Sequence, residues 1–146
     1  MNHPYSIRAP LSPDLTRVEA YWKGLLRGNA SMPFWDDLRL SALPDLADQL
    51  MLIEVFELPQ RFRFDHLGAA LNEDSLEGRF IDEIQLRWPL DFLLSQCSAT
   101  VESASSTVYR FVAPKSEAAK GAYQRLLLPF WGEGQIRMLL GVVDFR

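Results

Sequence analysis

The sequence predicts an α+β domain: a five-stranded antiparallel sheet, helices gathered on one of its faces, and an added N-terminal helix. Three observations carry that expectation. Strand-like runs stand in two groups, LMLIEVFEL and RFRFDHLG before the middle of the chain, then TVYRFVAP, GAYQRLLLPF and QIRMLLGVVDF after it. Helical spacing fills the stretch between the groups and the start of the chain. Short turns, Pro59-Gln60 and Trp131-Gly132-Glu133-Gly134, join neighbouring runs as hairpins. The order is β-β-α-α-α-β-β-β behind a leading helix, and strands grouped around a helical middle suggest one sheet with helices on one face.

Each element has its own warrant. From Pro13, with Asp14 as cap, Leu15, Val18, Trp22, Leu25 and Leu26 fall at helical spacing and Gly28 ends the run. Residues 29–44 are rich in Pro, Asp and Ser and hold Met32, Pro33, Phe34 and Trp35, a segment expected to wrap the surface with its aromatics tucked in. Leu50 to Leu58 is apolar and β-branched, as a strand requires. In RFRFDHLG a period of two puts Phe62, Phe64 and His66 on one face and Arg61, Arg63 and Asp65 on the other. Short helical pieces follow at Ala69 to Asp74 and Ile81 to Ile84, with Gly78 between them. Pro89 suits a first helical position, and Leu90, Leu93, Leu94, Cys97 and Val101 then form an apolar stripe. Leu126 to Phe130 and Met138 to Val143 are apolar at odd and even positions alike, so both faces of the sheet need cover there. The second cover is expected from the N-terminal helix, a second copy of the chain, or both. The whole reads as one unit, with residues 1–46 as helix and wrapping segment and 47–146 as the sheet domain.

Composition narrows the function classes. A chain of 146 residues, 48% hydrophobic, is long enough for one core and short for two. A net charge of -4 with no long basic run argues against nucleic acid as the main partner. There is no signal-peptide pattern and no apolar run of spanning length, so neither membrane nor export is expected and a cytoplasmic protein is the default. Cys97 is the single cysteine, which forbids an intrachain disulfide and gives no thiolate metal cage.

The local residues resemble a short single-domain bacterial PAS-like family. The likeness runs over nearly the full chain: Tyr21-Trp22, Met32-Pro33, Leu43-Pro44, Ile53-Glu54-Val55, Phe62-Arg63-Phe64, Leu67-Gly68, Gly78-Arg79, Tyr123 and Leu126-Leu127-Leu128-Pro129. The chain departs from the family's pattern at Asp65-His66 and at Ala69, beside the glycine that ends the second strand. The resemblance implies a PAS domain, a sensory or regulatory module holding a small molecule between sheet and middle helices and signalling to a protein partner. The pocket would be lined by inward residues: Phe62, Phe64 and His66, with Tyr109, Tyr123 and Arg125 (and Phe111) from the later strands, while the inward parity of the last strands stays open. Arg79 could face an anionic ligand or pair with Glu77 or Asp82. His66 could touch a ligand or hydrogen-bond within the core.

Other chemistry finds little support. Haem-binding PAS domains take their axial histidine from the helical middle, which here has none. Flavin-binding relatives use a reactive cysteine, whereas Cys97 lies on the apolar stripe. No cofactor is singled out. HExxH, GxSxG and GxxxxGK are missing, no metal site is visible, and a Cys97–His66 pair would suffer from a thiol pKa raised by burial, so no enzyme is expected. With no effector domain expected after the last strand, the signal should leave through a surface. The leading helix with Trp22, Leu25 and Leu26, or the outer sheet face, is the expected interface, in a homodimer or with a partner. The alternative is a ligand-free interaction or dimerisation module with a filled interior.

Overall fold

A computed structural model of the chain describes residues 5, 10–112 and 121–145. His3, and Ala113 and Pro114 at the end of the third strand run, lie outside the described residues. The elements are α1 (Pro13–Gly24), β1 (Leu50–Phe56), β2 (Arg61–Leu67), α2 (Leu93–Ser103), β3 (Thr107–Phe111), β4 (Tyr123–Gly132) and β5 (Gln135–Phe145). Short pieces of 3-10 helix punctuate the connections, among them the single turns Trp35–Asp37, Ala69–Leu71 and Ile81–Glu83 and the longer Pro44–Gln49. The strands form one antiparallel sheet in the order β2-β1-β5-β4-β3. Hairpins at both ends of the chain thus meet through β1 and β5.

The turn between β4 and β5 is tighter than the four residues expected. Glu133 and Gly134 alone make it, with φ of 54° and 81°, the left-handed pair of a two-residue hairpin turn. Trp131 and Gly132 stay in β4.

Pairing across the sheet settles which side chains share a face. Tyr109 pairs with Arg125, Arg125 with Val143, Leu127 with Gly141, Met51 with Gly141 and Ile53 with Leu139, so these odd-numbered positions form one face. Gln96 of α2 hydrogen-bonds the side chains of Arg125 and Thr107, which places α2 on that inner face. On the outer face the Ser12 amide donates to the side chain of Gln124, an even position, and α1 follows.

α1 starts one step earlier than its expected cap. Ser12, not Asp14, accepts from the Leu15 amide, and Pro13 occupies the first turn. Leu15, Val18 and Trp22 bury one stripe, and α1 packs on β4 and β5. Each such side chain contributes about 1.5–3 kcal/mol of burial. The chain's own helix therefore supplies the second cover that Leu126, Leu128, Leu140 and Val142 call for.

That placement takes Trp22 out of the expected interface. The Trp22 indole N–H donates to Pro129 O at 2.8 Å within the same protomer, and the ring is buried. Leu25 and Leu26 lie beyond the helix, which ends at Gly24, and are half-buried.

α2 is also corrected. It begins at Leu93 rather than Pro89, and its buried stripe is Leu93, Gln96, Cys97 and Thr100, while Leu94 is 39% exposed. Two polar residues thus occupy positions that an apolar count overlooks. Among the described residues no helix is long and apolar enough to cross a membrane.

Candidate functional site

β4 delivers Tyr123 and Arg125 to the inner face, two residues apart on one side of a strand. Arg125 is fully buried. Its Nε donates to Gln96 Oε1 at 2.7 Å, Nη1 to Pro89 O at 3.0 Å and Nη2 to Asp91 O at 2.8 Å. The guanidinium thereby ties β4 to α2 and to the loop that precedes it.

Gln96 extends the network. Its Nε2 donates to Thr107 Oγ1 at 3.1 Å and to Arg125 O at 3.2 Å, and the Thr100 and Thr107 hydroxyls lie 2.7 Å apart. The amide oxygen facing Arg125 and the amide nitrogen facing Thr107 fix which way Gln96 points.

Charge is where this network stays open. All three acceptors of Arg125 are neutral, and among the described residues no carboxylate lies within ion-pair distance of it. Burial pushes its pKa down, yet a guanidinium does not give up its proton in a protein. A buried cation without a counter-charge is costly, and neutral dipoles offset only part of that cost. The rings of Tyr109 and Tyr123, centred 5.0 and 5.9 Å from its central carbon, add the attraction of their π faces.

Tyr123 is the second open group. Its ring stacks on Phe111 at 5.4 Å and meets Trp88 edge-on at 6.0 Å, yet its buried hydroxyl has only the Arg125 guanidinium near it, short of a well-formed hydrogen bond, and no acceptor for its own proton. Burial raises its pKa well above the usual tyrosine value although the Arg125 charge works the other way, so it stays a neutral donor. Tyr109 is raised for the same first reason. The site thus offers a fixed positive charge and an unused hydroxyl donor inside an aromatic wall.

The remaining expected residues lie elsewhere. Phe62 and Phe64 are buried on the inner face, but in β2 at the opposite edge of the sheet, with β1 and β5 between them and β4. Arg79 is exposed, and its backbone works instead: Arg79 O accepts from the Phe64 amide, and the Gly78 amide donates to Phe64 O. Gly78 has the positive φ expected of it, 83°.

His66 does not share a face with Phe62 and Phe64. Leu52 pairs with His66 and Ile53 with Phe64, so Asp65 is an extra residue on β2, a β-bulge. One inserted residue reverses the parity of all that follows. Leu67 takes the buried place, and half-buried His66 turns outward with Arg61 and Arg63. A Cys97–His66 pair is thereby excluded, since the sheet separates them. Burial also pushes the Cys97 thiol up to about 12, leaving it an inert core group. Among the described residues no group of three or more metal-ligating side chains is assembled.

Sequence reasoning missed Gln96, Thr100 and Thr107. The signal was the spacing 93, 96, 97, 100, an i, i+3, i+4, i+7 set that fits a helix stripe better than the apolar residues do. Comparison with protein-family models, with curated proteins and with solved structures finds no match to this chain.

Proposed function

We propose that this chain is a PAS-like sensory or regulatory module that takes a small anionic molecule between its sheet and α2 and passes its state on by protein contacts. The observation that carries this reading is Arg125, a fully buried cation whose hydrogen-bond partners are all neutral, beside the unpartnered hydroxyl of Tyr123. A carboxylate between them would neutralise the charge and accept from the hydroxyl. The loop leading into α2 is the natural transmitter, because Arg125 holds its carbonyls at Pro89 and Asp91. A ligand drawing on the same guanidinium would loosen or re-seat that loop. The element order, with two strands, short helices and then three strands, supports the PAS-like part of the reading.

Native mass spectrometry of freshly purified protein, set beside its denatured mass, tests this. Extra mass held only in the native state, or a thermal upshift with small carboxylates that is lost in Arg125→Met, is the expected result. Bare protein with no upshift overturns the ligand.

A second reading, a ligand-free interaction module, is favoured by a specific observation. Three of the Arg125 donors are already satisfied inside the protein, so the polar centre can serve as a lock that sets α2 on the sheet. The bare-protein outcome selects this reading.

A further inference from the structure

A graded series of rings leads from solvent to the buried charge at Arg125. Tyr123, fully buried, is followed by half-buried Tyr109 at 5.9 Å, whose ring lies 5.0 Å from the Arg125 central carbon. Phe92 comes next, 5.9 Å from Tyr109 and tilted 57° against it, and at 65% exposure most of its ring meets water. Phe92 is held there at a conformational cost. Its φ is 60°, a left-handed conformation that a phenylalanine rarely adopts, and the carbonyl before it, at Asp91, is the one that Arg125 Nη2 grips at 2.8 Å. The guanidinium that offers charge therefore also fixes the backbone that displays the ring. Three of its five N–H groups are engaged, the other two remain, and the Tyr123 hydroxyl is a further donor with no acceptor. Packing alone does not ask for an aromatic ring held out in water beside such a set.

Resting on the ligand reading above, we propose that the ligand is an aromatic carboxylate, its charged end drawn to Arg125 and Tyr123 and its ring seated against Tyr109 and Phe92, which set the preference for a ring over an aliphatic body. Charge selects the first half of that description. The centre holds one buried cation, which balances the single charge of a carboxylate, whereas the second charge of a phosphate would stay buried and uncompensated. The rings select the second half. Aromatic groups in tilted or offset contact gain attraction beyond the area they bury, and a saturated body of the same size gains only the area. Because Arg125 is fully buried, the ligand reaches it past Phe92 and Tyr109 as the loop that ends at Phe92 re-seats.

Titration calorimetry of the full chain with phenylacetate, cyclohexylacetate and phenylacetamide tests it. Cyclohexylacetate keeps the carboxylate and the size but not the aromatic ring, and phenylacetamide keeps the ring but not the charge. The expected result is phenylacetate binding about tenfold tighter than cyclohexylacetate, with phenylacetamide weaker than phenylacetate by about tenfold or more. In Phe92→Leu and Tyr109→Leu the ratio between the two carboxylates should fall towards one. Phe92 is exposed, so the fold of Phe92→Leu should survive even if Tyr109→Leu unfolds. Equal affinities for the two carboxylates in the wild type, or a ratio unchanged in Phe92→Leu and in any folded Tyr109→Leu, overturns the aromatic inference and leaves a carboxylate ligand standing. If neither carboxylate binds, this inference falls together with the ligand reading on which it rests.

Discussion

The two faces of the sheet are closed by different means. Over the outer face α1 lays Leu15, Val18 and Trp22, and its polar links to β4 are the indole bond to Pro129 O and the bond from the amide of its cap residue Ser12 to the Gln124 side chain. Under α2 the inner face buries a cation, an amide, two threonine hydroxyls and a tyrosine hydroxyl. The outer face shows that hydrocarbon and a pair of neutral hydrogen bonds suffice to seat a helix on these strands. The polar centre of the inner face is therefore more than closure requires, and its extra cost points to register, to ligand, or to both.

The sharpest way to break this contrast is Arg125→Ala. Gln96 Oε1 and the carbonyls of Pro89 and Asp91 lose their donor, each at about 1–3 kcal/mol, and a cavity is added. A loss of roughly 4 kcal/mol in urea denaturation is expected. Arg125→Met, which keeps volume and removes the unpaired charge, should lose clearly less. If both variants unfold as the wild type does, the network is not structural and its value lies in binding.

On the outer face Trp22→Ala should cost about 3 kcal/mol, mostly lost burial. Trp22→Phe, which keeps a ring but orphans Pro129 O, should cost about 1 kcal/mol. Neither should change the mass found by sedimentation, because Trp22 faces its own sheet. A shift to monomer in Trp22→Phe would return this helix to the interface.

Alkaline pH separates the faces without mutation. Cys97 and Tyr123, both tied to the inner face, have raised pKa values, Cys97 to about 12. Above about pH 9 the unfolded chain releases these protons first, so it binds fewer protons than the folded chain and stability falls as pH rises. The contribution is complete below pH 9 and fades towards 12. Denaturation midpoints at pH 8, 9.5 and 10.5 should decline in that order. The Cys97 thiol should also resist alkylation at pH 8 until urea is added. A midpoint that rises with pH would contradict the inner-face burial.

Legibility in the sequence follows the same contrast. The outer cover could be read because Leu15, Val18 and Trp22 are apolar at helical spacing, and the need for cover showed in the strands. Alternation could also group Tyr109 with Phe111 and Tyr123 with Arg125, but which parity faces inward stayed open until the strand pairing was seen. What escaped was polar burial: Gln96 and Thr100 look like solvent-facing residues until Arg125 gives them a reason to be inside. Trp22 was misread for a related cause, as an apolar stripe says that something covers it but not whose surface does. Leu58 was absorbed into a strand, because composition does not report a left-handed turn.

His66 is the smallest of these effects and the most instructive. Alternation across RFRFDHLG is regular on paper, yet β1 runs Leu52 to Ile53 while β2 steps from His66 to Phe64. If Asp65 is the extra residue, deleting it should leave every other pair in place: Ile53 with Phe64, Leu52 with His66, Met51 with Leu67. Such a deletion inside a strand should cost about 1 kcal/mol or less, the local twist being its main loss. Deleting Arg63 instead would swing Phe62 out of the core and carry a charged residue inward, at about 3 kcal/mol or more. Urea denaturation of the two deletion variants decides between a bulge and a uniform ladder. In a uniform ladder both deletions reverse the strand's parity and do comparable harm; with a bulge at Asp65 only the second does, and His66 keeps its place on the outer face.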